Sequence, residues 1–250
     1  MPEPMFPRPI AHRGLHDRSR GVIENSESAF AAAIAAGYAI ECDVQLTRDG
    51  AAVVFHDDGM DRLLGDPRLV ADVPADEITA LPLLGSAAGD RPQRLDAFLR
   101  QIDGRALLQI ELKHQRDAAG TRTLARAVAG ALQDYAGPVT VESFDPNLLI
   151  AIREEGFGGA RGIITYAWDD DFGGYGEEQR YILRHLLHWH ETRFDFISCD
   201  KDALELPAIK FWRALGKPVT AWTVQSSVDA EAALPHCDQI VFEGFNPDLA

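Results

Sequence analysis

The chain has 250 residues, 46% apolar and 25% charged, and its formal net charge at pH 7 is −15. This composition is ordinary for a globular protein with a full core. The negative charge argues against nucleic acids and anionic membrane surfaces as partners, because both bind through basic patches. An anionic substrate would need cations placed locally in its binding site.

The N-terminal residues 1–9 contain no apolar run, so we expect no secretory signal. No stretch approaches the roughly 20 apolar residues of a membrane span. The three cysteines, Cys42, Cys199 and Cys237, are widely spaced, which indicates reduced, structural thiols. We therefore expect a cytoplasmic protein with no stable membrane association.

Strand patterns alternate with helix patterns along most of the chain. The predicted strands are Pro9–His12, Ala39–Gln45, Ala51–His56, Ala106–Lys113, Val139–Ser143, Gly162–Tyr166, Asp195–Cys199, Pro218–Thr223 and Gln239–Phe242. The predicted helices are Ser26–Ala36, Arg94–Ile102, Thr121–Asp134, Pro146–Glu154, Glu178–Trp189, Ala203–Leu215 and Ser227–Leu234. This alternation predicts the α/β class, with a parallel sheet covered by helices, and the length suits one (β/α)₈ TIM barrel domain over residues 1–250.

Nine predicted strands exceed the eight places of such a barrel. Only Leu46–Gly50 separates the second and third strands, too few residues for a helical crossover. With Asp49 and Gly50 as the turn, the two strands should form a hairpin that brings His56 back towards Glu41. Residues 57–92, which are rich in Asp, Gly, Pro and Ala, are too long for an ordinary loop. We expect them to form a small insertion packed over one end of the barrel.

The first helix has clear end signals. Asn25 is the expected N-cap, and Gly37 is expected to end the helix.

Three carboxylates are predicted to share the inner surface of the barrel. Glu41 and Asp43 are two residues apart in one strand and therefore point to the same face, and Glu111 lies near the end of another apolar strand. Buried carboxylates repel each other and lose solvation, and one divalent cation, Mg²⁺ or Ca²⁺, would relieve both costs. The alternative is a set of structural ion pairs at the barrel rim.

Two histidines end strands on either side of these carboxylates. His12 and His56 are each next to a charged residue, Arg13 and Asp57, which favours an acid–base pair over satisfied core residues. Arg13 and Lys113 are the local cations that a phosphate would need. The remaining histidines are expected to be surface or structural residues: His16, His114, His185, His188, His190 and His236.

Aromatic residues follow two later strands. Trp222 is expected either to form part of the pocket wall or to fill the barrel. Tyr166, Trp168, Phe172 and Tyr175 are interleaved with the three aspartates of 169–171, a combination suited to a quaternary ammonium group such as choline. The alternative is that these aromatic residues simply pack under a loop.

Taken in order, these motifs resemble the glycerophosphodiester phosphodiesterase family. The matching segments are His12-Arg13-Gly14, Glu24-Asn25-Ser26, Glu41-x-Asp43, Leu46-Thr47-x-Asp49-Gly50, Val54-Phe55-His56-Asp57, Ile110-Glu111-Leu112-Lys113, Ser143-Phe144-Asp145 and Trp222-Thr223-Val224. The resemblance covers nearly the whole chain, and the 57–92 segment falls where that family carries its small insertion.

The resemblance implies a (β/α)₈ barrel that cleaves glycerophosphodiesters to an alcohol and sn-glycerol 3-phosphate. It implies that His12 and His56 are the acid–base pair, and that a hydroxyl of the substrate itself acts as nucleophile through a cyclic phosphate. It further implies that Glu41, Asp43 and Glu111 hold the metal, with Arg13 in contact with the phosphate and Lys113 beside it. Trp222 is an additional candidate for substrate binding.

Three positions depart from the family pattern: Gln225 stands where Asn is usual, Glu243 where Asp is usual, and Arg94-Leu95 where Thr-Leu is usual. None falls on a metal or acid–base position, so the departures bear on the substrate more than on the reaction. Two other functions stay open. One is the same chemistry on a larger lipid, as in a lysophospholipase D or sphingomyelinase D-like enzyme, and the other is a non-catalytic phosphodiester-binding protein on this barrel.

Overall fold

The computed structural model describes residues 4–167 and 175–249. Within them, eight parallel strands form a closed barrel, because the first strand pairs with both the last and the second. The barrel strands are β1 (Ile10–Ala11), β2 (Ala39–Leu46), β5 (Leu108–Leu112), β6 (Val139–Ser143), β7 (Ala160–Thr165), β8 (Phe196–Asp200), β9 (Val219–Val224) and β10 (Gln239–Phe242). The predicted (β/α)₈ barrel is confirmed.

Helices follow the strands along the chain. They are α1 (Glu27–Ala36), α2 (Asp61–Leu64), α3 (Ala75–Ile78), α4 (Leu95–Ile102), α5 (Ala118–Leu132), α6 (Pro146–Glu154), α7 (Glu177–Arg184), α8 (Trp189–Thr192), α9 (Pro207–Ala214) and α10 (Ser227–Ala233). These helices cover the outside of the barrel, except for α2 and α3, which belong to the 57–92 segment. Among the helices in the described part of the chain, none has both the length and the apolar character needed to cross a membrane.

The predicted hairpin is present. Strand β3 (Ala52–Val54) runs antiparallel to β2, with Val44 opposite Val54 and Leu46 opposite Ala52. A short strand that the sequence pattern did not indicate, β4 (Gln93–Arg94), pairs with β3. Two residues are too few to show a period, so this strand had no detectable signal.

The main core lies between the barrel and its helices. The outward residues of β2 and β5, among them Cys42 and Ile110, are fully buried against apolar residues of α4 and α5. Cys42 therefore faces the helices, and all three cysteines are buried free thiols.

One end of the barrel interior is closed by apolar side chains. Phe196 of β8 packs there with Ile10 and Val241. The Phe196 ring occupies the space beside Gly162 of β7, and a Cβ at Gly162 would lie 2.3 Å from that ring. Glycine is needed at this position because any side chain would displace the ring that closes the barrel floor.

Several helix boundaries differ from prediction, and three of the differences have a clear local cause. The Ser26 side chain caps α1 by accepting from the Ala29 N–H, so the predicted Asn25 cap is wrong. The helix predicted over 178–189 ends at Arg184, since Leu186 adopts a left-handed φ of 54°. The helix predicted from residue 203 begins at Pro207, whose fixed φ favours the first helical position.

Residues 57–92 build a second apolar cluster against β3. Met60, Leu63, Val70 and Ile78 from this segment pack with Phe55. The insertion is thus anchored beside the strand that leads into His56.

Candidate active site

The carboxyl ends of the barrel strands surround a cavity of about 430 Å³. This volume is within the usual range for a small-molecule site. Seven of the eight predicted site residues line it: His12, Arg13, Glu41, His56, Glu111, Lys113 and Trp222. The eighth, Asp43, is buried next to it and contacts Arg13 and Lys113.

Glu41, Asp43 and Glu111 form a compact acidic cluster. One oxygen from each lies within 4.8 Å of the others, and all three side chains are buried. Strands β2 and β5 produce this arrangement, because Asp43 and Glu111 are register partners and Glu41 is on the same face of β2. Burial and the neighbouring negative charges of Asp43 and Glu111 raise the pKa of Glu41 well above its usual range.

The other two carboxyl groups of the cluster respond to Lys113 in different ways. Burial raises the pKa of Glu111 to about 7, although the Lys113 ammonium, 2.9 Å away, opposes the shift. Burial acts in the same direction on Asp43, but the charges of Lys113, His56 and Arg13 outweigh it and lower the pKa of Asp43. Asp43 is therefore the permanently ionised member of the cluster.

Asn25, which the sequence assigned to a helix cap, instead supports this cluster. Its amide nitrogen donates to Asp43 Oδ2 at 2.7 Å, and its amide oxygen accepts from the Asp43 N–H at 3.3 Å. Asn25 adopts a left-handed φ of 53°, and its N–H donates to the carbonyl of Arg13. Left-handed backbone at an asparagine is tolerable, and here it turns the amide towards the carboxylate.

The turn that follows β1 places Arg13 between two acidic groups. Arg13 Nη1 donates to Glu24 Oε1 at 2.8 Å, and Arg13 Nε lies 3.4 Å from Asp43 Oδ2. The Arg13 backbone N–H donates to Glu41 Oε2 at 2.8 Å. Gly14 follows with a φ of 78° and packs against Ala29 so closely that a Cβ there would lie 3.0 Å from it. The His-Arg-Gly motif therefore fits the tight turn that presents Arg13.

His12 lies between the acidic cluster and a carboxylate that the sequence did not single out for this role. Its Nδ1 is 2.7 Å from Glu243 Oε2, and its Nε2 is 3.9 Å from Glu41 Oε2. Because an ionised carboxylate only accepts hydrogen bonds, Nδ1 carries the proton and Nε2 faces the cavity. Burial lowers the pKa of His12, and the hydrogen bond to Glu243 offsets this only in part.

We expected the departures from the family pattern to bear on the substrate more than on the reaction. Glu243, one of these departures, instead contacts the predicted acid–base residue His12. Its other oxygen accepts from Gln225 Nε2 at 2.7 Å, so two of the three departing residues contact each other beside His12. Hydrogen bonds from His12 and His16 lower the pKa of Glu243 far below its usual value. The sequence signal for this contact was the simultaneous lengthening of both side chains, from Asn to Gln and from Asp to Glu.

His56 also lines the cavity, just beyond β3. Its Nδ1 is 2.6 Å from Asp57 Oδ1, which leaves Nε2 towards the cavity. Burial lowers the pKa of His56 more than the nearby Asp43 charge raises it. Gln45 of β2 fixes the connection after β3 by donating to the His56 carbonyl and to Asp58 Oδ1.

A fourth carboxyl group in the cavity was missed. Glu142 of β6 is buried, lines the cavity and accepts from Gln109 Nε2 at 2.8 Å. Burial raises the pKa of Glu142 to about 8, so the group is mostly neutral at pH 7. A single acidic residue in an apolar strand gave no reason to separate it from an outward-facing one.

Aromatic side chains form one wall of the cavity. Phe144 stacks on Tyr166 with ring centroids 4.4 Å apart, and Trp222 meets both rings edge to face. Of the predicted choline-binding loop, Trp168 and Phe172 lie outside the described residues, together with the three aspartates. Tyr166 lines the cavity, whereas Tyr175 lines a separate cleft beside α7.

The other histidines have varied positions. His114 lines the cavity mouth, mostly exposed, with Nδ1 3.1 Å from Asp145 Oδ2, and His16 Nε2 is 3.5 Å from Glu243 Oε2. His114 is thus a surface residue, as expected, although it lines the cavity, and His16 contacts the carboxylate that holds His12. His188 is buried, and burial lowers its pKa to about 4, as expected of a structural residue.

The barrel and this arrangement of acidic and basic groups define a phosphodiesterase-type site. Residues 12–236 match the model of the glycerophosphoryl diester phosphodiesterase family, and the chain belongs to this family.

Individual relatives agree with this placement. A glycerophosphodiester phosphodiesterase of Caldanaerobacter subterraneus subsp. tengcongensis is 40% identical over 110 residues, which cover 42% of this chain and 44% of that protein. The match thus spans less than half of the curated relative.

Solved structures share the fold. A phosphodiesterase of Oleispira antarctica, in complex with its product sn-glycerol-3-phosphate, is 20% identical with a TM-score of 0.79, covering 98% of this chain and 95% of that one. A glycerophosphodiester phosphodiesterase of Thermotoga maritima is 24% identical with a TM-score of 0.70, covering 93% and 92%.

Proposed function

We propose that this chain hydrolyses glycerophosphodiesters to an alcohol and sn-glycerol 3-phosphate, using one divalent cation and two histidines. The observation that carries the proposal is the placement of His12 and His56 around one acidic cluster in one cavity. Each histidine has its Nδ1 engaged by a carboxylate, Glu243 or Asp57, and its Nε2 on the cavity side.

The residues present fit a divalent cation. Glu41, Asp43 and Glu111 supply oxygen ligands, which Mg²⁺ and Ca²⁺ both prefer. When all three are ionised, these carboxylates carry a charge of −3, and Arg13 and Lys113 together carry +2. A bound divalent cation would therefore leave the site with a net charge of +1. A phosphodiester monoanion would neutralise that charge. The cation, when bound, would polarise a phosphoryl oxygen and stabilise developing negative charge.

The protein's own groups would carry the rest of the reaction. Arg13 and Lys113 would bind the phosphoryl oxygens and stabilise the charge that increases in the transition state. One neutral histidine would accept the proton of the attacking hydroxyl at its Nε2 as the new P–O bond forms. The other histidine, protonated, would give its Nε2 proton to the departing alcohol oxygen as the old P–O bond breaks. Since the attacking group would be a hydroxyl of the substrate itself, this step would give a cyclic phosphate. Water would then open the ring in a second displacement with the two histidines in exchanged roles, giving sn-glycerol 3-phosphate. Glu243 and Asp57 would stabilise whichever imidazolium is present.

The direct test is release of sn-glycerol 3-phosphate from glycerophosphocholine by EDTA-treated protein, with Mg²⁺, Ca²⁺ or Mn²⁺ returned singly. We expect release only after a cation is returned. Choline release from lysophosphatidylcholine, but none from glycerophosphocholine, would indicate the lipid phosphodiesterase alternative. No cleavage of either substrate with any cation would contradict catalysis and leave the binding role.

A pair of variants tests the ligand assignment. Glu111→Gln should weaken cation binding, measured by calorimetry. Glu142→Gln, a change of the same type in the same cavity but outside the cluster, should retain it. Equal cation affinity in both variants would contradict the assignment.

A further inference from the structure

Arg62 lies in the insertion, on the short helix α2. The neighbouring Leu63 and Leu64 are buried in the insertion's apolar cluster, which fixes the helix beside β3. The Arg62 side chain is 40% exposed and extends from this anchored helix to Glu24 and Asp57. Sequence analysis assigned no role to Arg62.

The Arg62 guanidinium holds two carboxylates at once. Its Nε and Nη2 donate to the two oxygens of Asp57 at 2.6 and 2.9 Å. Its Nη1 and Nη2 donate to the two oxygens of Glu24 at 2.7 and 2.8 Å. Only the planar, five-donor fork of arginine can make two such paired contacts, and a lysine ammonium has neither the shape nor the donors.

Each of these carboxylates also contacts a residue of the site. Asp57 Oδ1 accepts from His56 Nδ1 at 2.6 Å, and Glu24 Oε1 accepts from Arg13 Nη1 at 2.8 Å. One guanidinium from the insertion is therefore a single contact away from the partners of both His56 and Arg13.

The protonation of the two carboxylates agrees with this arrangement. Burial raises the pKa of both, but hydrogen bonds from Arg62 and its charge outweigh burial and lower the pKa of Glu24 and of Asp57 to about 2. Both groups are thus ionised over the whole neutral range and hold their partners as acceptors.

We propose that Arg62 is a positioning residue that sets His56 and Arg13 together, so that the insertion completes the active site from outside the barrel. The proposal rests on the proposed function. Without Arg62, Asp57 has no fixed orientation and the His56 ring loses its anchored acceptor. Glu24 has then lost its second cation, and its position relative to Arg13 is no longer determined.

The insertion contains a matched control. Arg68 is similarly exposed and also bridges two carboxylates, Asp66 and Glu77. Unlike Asp57 and Glu24, these carboxylates make no hydrogen bond or ion pair to His56 or Arg13. Arg62→Ala should lower kcat by about 10- to 100-fold, the usual cost of removing an outer partner of a metal site, and should raise KM. Arg68→Ala should change both by less than about twofold.

Two further measurements separate positioning from a loss of folding. Added guanidinium ion should restore part of the activity of Arg62→Ala, whereas Arg62→Lys should remain low despite its charge. Equal kcat and KM in Arg62→Ala and Arg68→Ala would overturn the proposal, and so would a fall in Tm alone.

The two contacts of the fork are separable. Asp57→Asn should act mainly on kcat through His56, and Glu24→Gln mainly on KM through Arg13. Combining either change with Arg62→Ala should lower kcat/KM by less than the product of the two separate fold-changes. A double variant whose loss equals that product would contradict a shared network.

A measurement that needs no turnover distinguishes failure of this proposal from failure of the proposed function. In ¹⁵N NMR spectra the neutral His56 ring should be the Nδ1–H tautomer in the unaltered protein and a mixture of tautomers in Arg62→Ala. Identical tautomer signals in both would overturn the positioning role even if the enzyme is active. An inactive wild-type protein with the expected signals would contradict only the proposed function.

Discussion

The two histidines of the cavity are held in chemically similar but structurally different ways. His12 is held by Glu243, which follows β10 and is itself contacted by Gln225 after β9, so barrel connections supply the whole arrangement. His56 is held by Asp57, which depends on Arg62 of the insertion. The comparison shows that one histidine is held through barrel connections, while the other is held through contacts to the added segment.

The largest expected effects follow from replacing the histidines themselves. His12→Asn and His56→Asn should each lower kcat by about 10²–10⁴, the usual contribution of general acid–base catalysis. Stopped assays of sn-glycerol 3-phosphate release with saturating cation measure this. Near-normal kcat in either variant would remove that histidine from the mechanism.

Removing the carboxylate partners should cost less. Glu243→Gln and Asp57→Asn keep a hydrogen-bond acceptor but lose its charge, and we expect kcat to fall about 10- to 100-fold in each. Gln225→Ala, which removes only a contact to the second oxygen of Glu243, should have a smaller effect. If Gln225→Ala lowered kcat as much as Glu243→Gln, the view that Gln225 acts only through Glu243 would be wrong.

The same Glu243 variant should shift the pH profile. The Glu243 carboxylate raises the pKa of His12 while burial lowers it more, so removing the charge lowers that pKa further. The limb of the kcat profile that reports His12 should therefore move to lower pH in Glu243→Gln and stay in place in Asp57→Asn. A shift to higher pH would contradict the assigned contact.

The aromatic wall should affect substrate choice more than rate. Phe144→Ala removes the ring that stacks on Tyr166 and is met edge-on by Trp222. If these faces hold a quaternary ammonium group, kcat/KM for the choline diester should fall about 5-fold more than for the ethanolamine diester, from a loss of roughly 1 kcal/mol. Equal falls for the two substrates would remove the choline preference.

The smallest effect concerns stability in acid and tests the insertion side alone. Folding lowers the pKa of Glu24 and Asp57 to about 2, so their stabilisation is present above their ordinary values near 4 and is lost as pH falls towards 2. Arg62→Ala should therefore be less stable than the unaltered protein at pH 7, and the gap should narrow towards pH 3.

Urea unfolding midpoints at pH 7 and pH 3 measure this difference in stability, with Arg62→Lys as a variant that keeps the positive charge. A gap that widens on acidification would contradict the sign of both pKa shifts.

The barrel was predictable from the sequence because the apolar residues of each strand and of each helix follow the period of that element. The paired carboxylates of β2 were predictable for the same reason, since alternation alone places Glu41 and Asp43 on one face. Those inferences needed only local spacing. The hairpin was also local, because five residues between two strands leave no other connection.

Contacts made across the barrel mouth were not predictable in this way. Glu243 is 231 residues from His12, and Arg62 is 38 residues from Glu24. The local sequence around an exposed arginine in a polar insertion does not indicate which residues its side chain contacts. Asn25 shows the converse, since its type suggested a helix cap while the fold placed its amide on Asp43.

The central claim is that the two histidines have different tasks in one cavity, and the leaving group tests it directly. The measurement compares single-turnover leaving-group release by His12→Asn and His56→Asn from glycerophosphocholine and from a glycerophosphodiester whose leaving group is p-nitrophenol, which departs without a proton. We predict that one variant regains most of its rate of release on the activated substrate, because it lacks only the general acid for that step, and that the other stays low. Equal losses on both substrates in both variants would contradict the account.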